Sequence, residues 1–366
     1  MRTVTVVLYG ASGYTGRLVA AELGRRGVEH VLSGRDLAKL ERVGAEHGAP
    51  VRAVALDDDV GLRALLADAS AVINCAGPFT LAGDALVRAA VDSGTHYVDS
   101  SGEQPFIQMV FDRHGAAAER AGVALVPAIG FDYLPGDCIA RLAAEAHEPL
   151  EELVIAYDVQ GFEMSRGTLR SALEIMQGGD VIYDGGDWRP VPAGVFRASF
   201  EFPEPVGRQA MSRYPSGEVI TVPRHTRTRR VVSLMSTRTA VPSSVGAALM
   251  PYLQPGFQLA LRTPVRGLLR QAVRVLPEGP PEDERRATSW TIVADARGED
   301  GHSRRAVARG VDVYGLTALI LVHAAMLLSA PDYDRAGALA PAAAFDPVAF
   351  LNFLGDHGVS WERRGP

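Results

Sequence analysis

Short apolar runs alternate with helical apolar periods through the first 130 residues, and this alternation constrains the fold more than any other feature of the chain. Units of strand, helix and strand build parallel sheets, because parallel neighbours need a crossover that is usually a helix. Right-handed crossovers then cover both faces of the sheet, which makes it doubly wound. The pattern predicts strands at 3–9, 28–33, 51–55, 70–75, 95–98 and 123–127, and helices at 14–26, 36–47, 60–68, 81–93 and 105–121.

A different pattern follows residue 138. Strand-like runs joined mostly by Gly- and Pro-rich turns predict an antiparallel or mixed sheet. Its strands are expected at 152–160, 181–184, 194–202, 217–222, 229–237, 288–296 and 303–311. Helices are expected at 167–176 and 256–275, and the polar loop at 277–284 is expected to be exposed and mobile. Helical periods return at 315–329 and 346–357.

These patterns predict an α/β protein in three parts, and a length of 366 residues agrees with two domains. An N-terminal doubly wound domain occupies residues 1–138, and an α+β domain with a mixed sheet is inserted at 139–312. C-terminal helices at 313–366 are expected to pack back onto the first domain.

Composition narrows the class of protein. The net charge of −6 gives no general electrostatic reason to bind nucleic acid or an anionic membrane. Cys75 and Cys138 are the only cysteines, so we expect two free thiols in a reducing compartment. The N-terminus lacks a secretory signal pattern, and the apolar stretch at 316–330, interrupted by His323, is shorter than the about 20 residues of a bilayer span. We expect a cytoplasmic protein without a nucleic-acid partner or stable membrane insertion.

Lysine chemistry is nearly absent, because Lys39 is the only lysine among 37 basic residues. The chain has no Tyr-x-x-x-Lys pair, which excludes the arrangement in which a lysine lowers the pKa of a tyrosine acid in short-chain dehydrogenases. A Walker-type phosphate loop would need Lys39, whose neighbours indicate an exposed helix face. The nine histidines lack metal-ligand spacing, so no metal is expected.

The sequence Gly-Ala-Ser-Gly-Tyr-Thr-Gly at 10–16 lies between the first predicted strand and the first predicted helix. Gly10 permits a tight turn, Gly13 lets backbone N–H groups approach a pyrophosphate, and Gly16 allows the helix to pack closely on the strand. The helix N-terminus adds partial positive charge. The spacing is G-x-x-G-x-x-G rather than the usual G-x-G-x-x-G, and it still predicts a dinucleotide site. The predicted members are Gly10, Ser12, Gly13, Tyr14, Thr15 and Gly16.

The end of the second strand, Ser33-Gly34-Arg35, indicates which dinucleotide binds. An NAD site places an acid there, on the ribose 2′-hydroxyl. Arg35 stands in that place, and its guanidinium can pair with a 2′-phosphate, so NADP is favoured over NAD. The alternative is that Arg35 caps the turn and Asp36 contacts the ribose.

The fourth strand ends in Asn-Cys-Ala-Gly-Pro at 74–78, at the sheet edge where ligands bind in open α/β folds. Small residues there let the cofactor lie against the backbone. The residues that join the predicted cofactor site are Cys75, Ala76, Gly77 and Pro78. Cys75 is interpreted as a packed strand-end residue rather than a nucleophile, because no base accompanies it at a recognisable spacing.

Together with His-Tyr-Val-Asp-Ser-Ser-Gly-Glu at 96–103 and Gly-Phe-Asp-Tyr-Leu-Pro-Gly-Asp at 130–137, these residues resemble the saccharopine dehydrogenase-like reductases. The likeness is greatest to the bacterial branch that includes trans-acting enoyl reductases of polyketide lipid assembly. It is specific over residues 3–138 and weaker at 222–225, 315–318 and 337–341. The resemblance implies an N-terminal Rossmann domain, an inserted mixed-sheet catalytic domain, a C-terminal return to the first domain, and NADPH as hydride donor.

In this family the loop at 130–137 lies near the nicotinamide, which implies that Gly130 and Phe131 contact the cofactor. The same likeness implies that Asp132, Tyr133 and Asp137 lie around the reacting carbon. Hydride delivery needs an adjacent proton source, and Tyr133 is a candidate acid or hydrogen-bond donor. Capping of the helix that follows is an equally good explanation for Asp132 or Asp137.

Four further residues complete the candidate site. Glu103 follows the fifth strand at the same sheet edge and is a third catalytic candidate, with a loop cap as its alternative. Arg166 opens a predicted helix of the second domain, where it could hold a carboxylate, phosphate or thioester carbonyl. Arg224 and His225 add positive charge for a substrate. Ordinary surface arginines are the alternative interpretation.

These residues predict an NADPH-dependent oxidoreductase that reduces an activated C=C bond, in an enoyl thioester or enone, or a C=N bond. A small-molecule substrate is expected in the cleft between the domains, free or bound to a carrier protein, and a homodimer is also compatible with the sequence. Two alternatives stay open. One is an NADP-binding sensor or scaffold without turnover, and the other is an amino-acid dehydrogenase of saccharopine type.

Overall fold

Two β-sheets organise the chain in a computed structural model, which describes residues 5–175, 180–191, 198–240, 267, 271–273 and 275–364. Over these residues one sheet has seven strands, all parallel, and the other has nine strands of mixed direction. The predicted α/β fold, a doubly wound parallel domain joined to a mixed-sheet domain, is confirmed.

The parallel sheet uses the N-terminal strands in the order β6-β5-β4-β1-β2-β3. Its strands are β1 (Thr5–Tyr9), β2 (Glu29–Gly34), β3 (Val51–Ala53), β4 (Ala71–Asn74), β5 (His96–Asp99) and β6 (Ala124–Val126). Its helices are α1 (Tyr14–Arg25), α2 (Leu37–His47), α3 (Asp59–Leu66), α4 (Phe79–Ser93), α5 (Gln104–Met109) and α6 (Gly115–Ala121), with a π-helical turn at Val110–His114. The strand order reverses between β1 and β4, which is where ligands bind in open α/β sheets.

The mixed sheet contains one parallel pair, β7 with β12, among antiparallel neighbours. Its first strands are β7 (Leu150–Gln160), β8 (Val181–Asp184), β9 (Asp187–Pro190), β10 (Ala198–Glu201), β11 (Arg208–Arg213), β12 (Arg230–Ser236), β13 (Ser289–Gly298) and β14 (Ser303–Val311). The helices here are α7 (Leu134–Ala144), α8 (Arg166–Ile175), α9 (Glu218–Thr221), α10 (Thr237–Ala240) and α11 (Glu282–Ala287), with a 3-10 turn at Val222–Arg224.

The predicted strand at 217–222 is wrong, because this segment forms α9 and the start of the 3-10 turn. Its Val, Ile and Thr residues favour a strand locally. The backbone N–H groups of Ile220 and Thr221 instead donate to the carbonyl of Gly217, and Ile220 is fully buried. Strands β9 and β11 were not predicted, and most of the predicted helix at 256–275 lies outside the described residues.

The C-terminal region joins both sheets. Its elements are α12 (Val313–Leu328), β15 (Gly337–Ala338), α13 (Pro341–Ala344), α14 (Pro347–Gly355) and β16 (Ser360–Arg364). Helix α12 packs against α1, β4 and β5, and β15 extends the parallel sheet beside β6. Strand β16 pairs with β14 in the mixed sheet, a feature that the sequence analysis missed. No helix within the described residues is long and apolar enough to span a membrane.

Helix α12 packs on the parallel sheet and on α1, so shortening a buried side chain on it should weaken the fold. We expect Leu321→Ala, at a fully buried position, to lower the free energy of unfolding by about 2–5 kcal/mol. Met326→Ala is the matched control, because Met326 on the same helix is 37% exposed. Guanidinium denaturation measures both variants, and equal losses would contradict this packing.

Candidate functional site

The turn after β1 brings three strand ends together. The backbone N–H groups of Gly10 and Ala11 donate to the carbonyl of Ser33 at the end of β2, over 2.9 and 3.1 Å. Gly10 has φ +85°, and a Cβ there would lie 2.8 Å from the Cys75 carbonyl carbon and the Ala76 nitrogen. A Cβ at Gly16 would lie 2.2 Å from the Gly10 oxygen. Both glycines are therefore required by close backbone packing.

Helix α1 begins without a side-chain cap. Its N-cap residue is Gly13, which is exposed and whose own N–H donates to the Gly10 carbonyl over 3.0 Å. The first N–H groups of a helix have no partner within the helix, and the first turn of α1 carries no acidic residue. Helices α2 and α3 differ, because Asp36 and Asp58 cap them. The start of α1 thus fits an external anion, as the diphosphate of a dinucleotide requires.

Two charged side chains at the end of β2, Asp36 and Arg35, have different surroundings. Asp36 accepts a hydrogen bond from the backbone N–H of Lys39 over 3.1 Å, and its other oxygen lies 3.6 Å from the Lys39 ammonium. Arg35 is exposed at the strand end. The carboxylate that would contact a ribose hydroxyl is therefore used as a helix cap, which favours Arg35 as the group that selects the dinucleotide. Ser33 is buried and donates its hydroxyl proton to the Arg52 carbonyl over 2.8 Å.

The end of β4 is held by amide hydrogen bonds. Asn74 donates to the hydroxyl of Tyr97 over 2.9 Å and accepts from the N–H of Ala76 over 2.9 Å. Burial raises the pKa of the neighbouring Cys75 thiol to about 12. A thiol with such a pKa is protonated at neutral pH, which supports its interpretation as a packed residue rather than a nucleophile.

Glu103 acts as a distant cap for α4. It is 1% exposed, and its two oxygens accept from the backbone N–H groups of Phe79 and Thr80 over 2.9 and 2.7 Å. The hydroxyls of Thr80 and Ser171 also donate to this carboxylate. Because Ser171 lies on α8, Glu103 fixes the second domain against the first. This engagement favours the cap over the catalytic interpretation of Glu103.

The loop at 277–281 contacts the glycine turn and the start of α1. Glu278 pairs with Arg17 over 2.5 Å and with Arg166 over 2.9 Å. The Tyr14 hydroxyl donates to the carbonyl of Pro280 over 2.7 Å, and Pro280 is buried. The exposed loop predicted at 277–284 is thus wrong for Pro280. The predicted substrate residue Arg166 has its charge opposed by Glu278.

Arg224 and His225 lie in contacts within the protein. The Arg224 guanidinium carbon sits 4.0 Å from the Phe111 ring centroid and 4.6 Å from that of Trp188, and burial lowers the arginine's pKa to about 10. His225 Nε2 lies 2.9 Å from a carboxylate oxygen of Asp137, which is fully buried. Arg224 is therefore not an ordinary surface arginine, and a substrate-binding role for either residue stays a prediction.

The Asp137 carboxylate accepts hydrogen bonds from other groups of the protein. It also accepts from the Thr221 hydroxyl over 2.6 Å and from the backbone N–H of Ala342 over 2.8 Å. The residue therefore joins α7 to α9 and to α13. The capping alternative for Asp132 and Asp137 is wrong, because α7 begins at Leu134 without a side-chain cap and the partners of Asp137 come from distant parts of the chain.

Asp132 and Tyr133 belong to a cluster of acids at the carboxyl edge of the parallel sheet. The Tyr214 hydroxyl lies 2.9 Å from Asp132 Oδ2 and 3.0 Å from the Tyr133 hydroxyl. Tyr157 on β7 bonds to the backbone carbonyl of Asp132 and to the carboxyl group of Glu218. Phe131 anchors the loop by donating its N–H to Thr317 Oγ1 over 3.1 Å.

Burial sets the protonation of this cluster. It raises the pKa of Tyr133, Tyr214 and Glu218 well above their usual values, and it raises that of Asp132. The Tyr157 hydroxyl donates towards the Asp132 carbonyl and the Glu218 carboxyl group. The raised pKa of Glu218 favours its neutral form.

Sequence reasoning missed Tyr157, Tyr214 and Glu218. Tyr157 stands within an apolar strand and gives no local signal. Tyr214 and Glu218 flank Pro-Ser-Gly, a turn signal that interrupts the predicted strand pattern and could have indicated a non-strand segment.

Replacing the Arg35 charge should alter dinucleotide selectivity. We expect Arg35→Ser to weaken NADPH binding by about 10–100-fold, since a charge-assisted hydrogen bond to phosphate is lost, and to leave NADH binding within about twofold. Calorimetric titration measures both affinities. Arg42→Ser on α2 is the matched control because Arg42 is also exposed. Equal weakening of NADPH and NADH would refute this role.

The thiols provide a separate check on burial. Burial raises the pKa of Cys75 to about 12 and that of Cys138 well above its usual value. Since the thiolate is the reactive form, we expect neither thiol of the native protein to react rapidly with DTNB at pH 8. Both of the chain's two thiols should react after denaturation. Fast reaction of one native thiol would contradict the packing at that residue.

Comparison with known proteins agrees with the dinucleotide turn. A sequence profile of the saccharopine dehydrogenase NADP-binding domain matches residues 6–126. The saccharopine dehydrogenase (L-Glu forming) of Saccharomyces cerevisiae has a similar fold, with a TM-score of 0.64 at 15% identity, covering 99% of this chain and 100% of that one.

Curated relatives match over part of their length. A lipid droplet localized protein of Caenorhabditis elegans is 35% identical over 150 residues, covering 37% of this chain and 35% of that protein. A saccharopine dehydrogenase-like oxidoreductase of Bos taurus is 30% identical over 155 residues, covering 37% and 36%. A proposed trans-acting enoyl reductase of Mycobacterium tuberculosis is 33% identical over 189 residues, covering 48% and 45%. The match thus spans less than half the length of each relative.

The sequence profile and the fold together confirm the resemblance drawn from the motifs, and they confirm NADP as the cofactor. Residues 6–126 match the saccharopine dehydrogenase NADP-binding domain, within a chain whose fold is similar to that of a saccharopine dehydrogenase.

Proposed function

We propose that this protein is an NADPH-dependent oxidoreductase that reduces an activated double bond in the cleft between its two sheets. One observation carries the proposal: the cluster of Asp132, Tyr133 and Tyr214 lies at the same sheet edge as the glycine turn. The turn follows β1 and the cluster's loop follows β6, and these strands run parallel in one sheet. Proton-bearing groups therefore lie on the side of the sheet where the dinucleotide binds.

Reduction of a double bond requires two deliveries. Bound NADPH supplies a hydride, and the protein has to supply a proton and a polar environment for the charge that develops on the substrate. The phenols of Tyr133 and Tyr214 remain protonated at neutral pH because burial raises their pKa. A group that keeps its proton until charge develops beside it is suited to act as a general acid.

Helix α12 and the second domain meet beside the start of α1. The Tyr14 ring packs edge-on against Tyr314 with centroids 5.0 Å apart. Tyr314 accepts from the backbone N–H of Ser165 over 2.7 Å, just before α8. These contacts bring α12 and the residue before α8 beside the first turn of α1.

An enoyl thioester or enone is the first candidate substrate class, either as a small molecule or attached to a carrier protein. The match to a proposed trans-acting enoyl reductase supports it, at 33% identity over 189 residues. An imine, as in an amino-acid dehydrogenase of saccharopine type, is the second candidate, supported by the fold match to saccharopine dehydrogenase along 99% of the chain. The acid cluster disfavours a sensor without turnover.

The cytoplasm is the proposed location, because both cysteines are free thiols. A lipid surface is the competing location, since one relative is named a lipid droplet localized protein. Fractionation of cells that express the tagged protein separates the two.

Loss of NADPH absorbance at 340 nm tests the reaction class. We expect turnover with 2-enoyl thioesters, and lower rates when NADH replaces NADPH because the 2′-phosphate contact is lost. Turnover restricted to a mixture of a 2-oxo acid and an amino acid would favour the imine reaction. NADPH binding without turnover on either panel would contradict the proposal.

Asp132 should be required for turnover but not for cofactor binding. We expect Asp132→Asn to lower kcat by about 10²–10⁴-fold, the usual range for losing a proton-transfer group, and to leave the NADPH Kd within about twofold. Asp68→Asn is the matched control, because Asp68 is exposed and follows α3, apart from the predicted site residues. A kcat equal to that of the control would remove Asp132 from the reaction.

A further inference from the structure

We propose that Tyr214 carries a proton from Asp132 to Tyr133, so that these three residues act as one relay that supplies the proton of the reduction. The inference rests on the proposed function and deepens it. Asp132 and Tyr133 come from the loop after β6, whereas Tyr214 comes from the second domain, between β11 and α9. In this account Tyr214 is a positioning residue, because it acts on the substrate through Tyr133.

The hydroxyl of Tyr214 lies between the Asp132 carboxyl group and the Tyr133 hydroxyl and is within hydrogen-bond distance of both. It lies 2.9 Å from Asp132 Oδ2 and 3.0 Å from the Tyr133 hydroxyl, and both are ordinary hydrogen-bond distances. The Tyr133 hydroxyl in turn lies against Gly102 after β5, where an added Cβ would be 1.8 Å away.

The backbone and ring of Tyr214 are both held in place. Its N–H donates to the Ser233 carbonyl over 2.9 Å, and its carbonyl accepts from the N–H of Ser216 over 2.9 Å. Its ring packs edge-on against Tyr157 with centroids 5.5 Å apart. The hydroxyl thus keeps its position between its two partners without help from a substrate.

Each tyrosine has one hydroxyl proton, so the hydrogen bonds that link Asp132, Tyr214 and Tyr133 can run in either of two directions. When Asp132 is ionised, Tyr133 donates to Tyr214 and Tyr214 donates to Asp132, which turns the Tyr133 proton away from a substrate. When Asp132 is protonated, Asp132 donates to Tyr214 and Tyr214 donates to Tyr133. The Tyr133 proton is then free for the substrate, so the protonated form of Asp132 is the active one.

The proton that the relay gives to the substrate is replaced from solvent. The Tyr133 O–H bond breaks as its proton joins the substrate anion left by reduction. The Tyr214 proton moves to Tyr133, and the Asp132 proton moves to Tyr214. Asp132 is left as a carboxylate, and because this residue is partly exposed it regains a proton from water. No oxidant or further reactant is needed beyond those of the proposed reduction.

The surroundings of Asp132 determine how the relay responds to pH. The titratable groups that face it are Tyr133 on its own loop, Tyr157 on β7, Tyr214, Glu218 on α9 and Tyr314 on α12. Burial raises the pKa of Asp132, while the hydrogen bond from Tyr214 lowers it. Activity should therefore fall as pH rises through the pKa of Asp132.

Tyr214→Phe tests the relay because it removes the connecting hydroxyl and keeps the ring. We expect kcat to fall at least about tenfold, with the NADPH Kd and the substrate KM within about twofold. A proton inventory in mixtures of H2O and D2O should be curved for the parent protein, where several protons move, and linear for the variant. The decline of kcat across the Asp132 titration should also disappear.

Tyr183→Phe is the matched control, because the Tyr183 ring packs on Trp188 in β9, outside the acid cluster. It should keep both kcat and the curved inventory. Combining Tyr214→Phe with Asp132→Asn should lower kcat no further than the more severe single variant, since both interrupt one chain. Unchanged kcat and inventory in Tyr214→Phe, or multiplicative losses in the double variant, would overturn the relay.

A measurement that does not require turnover distinguishes failure of the relay from failure of the proposed reaction. Carbon-13 NMR of the Asp132 carboxyl should show its pKa rising in Tyr214→Phe, because the ionised form loses a hydrogen bond. Should Tyr214→Phe fail to fold, Tyr133→Phe in the same NMR titration removes the far end of the chain and should also raise this pKa. An unchanged Asp132 titration would overturn the relay even if no substrate reacts.

Discussion

The uncapped start of α1 is the constraint on which the rest of the site depends. Gly13 offers no side chain to the free N–H groups of the first turn, although α2 and α3 begin at capping aspartates. N–H groups without a partner in the helix attract an anion, and the helix dipole adds to this attraction. Gly10 and Gly16 then let β1, β4 and α1 approach closely enough for a dinucleotide to lie along the sheet edge.

The second domain reaches this edge through a few polar contacts. Ser171 on α8 donates to Glu103 over 2.7 Å, and Ser165 just before α8 donates its N–H to Tyr314 over 2.7 Å. The same domain contributes Tyr214 to the acid cluster. The second domain therefore both contacts the first domain and supplies Tyr214 to the cluster. The proposed chemistry depends on how these two domains are arranged.

Local sequence was enough to predict the parallel sheet and the glycine turn, because both arise from short-range periodicity and from backbone sterics. The role of Glu103 was not predictable in the same way, since its partners Phe79 and Thr80 lie 24 and 23 residues away. The acid cluster joins Asp132 to Tyr214 across 82 residues of sequence. The strand predicted at 217–222 failed because burial of Ile220 and the Gly217 turn outweigh β-branched preference.

A crystal structure of the protein with NADPH tests the central claim most directly. The account predicts the diphosphate at the first turn of α1, the 2′-phosphate within hydrogen-bond distance of Arg35, and the nicotinamide facing the loop of Asp132 and Tyr133. A dinucleotide bound elsewhere, or bound here with its nicotinamide directed away from that loop, would contradict it.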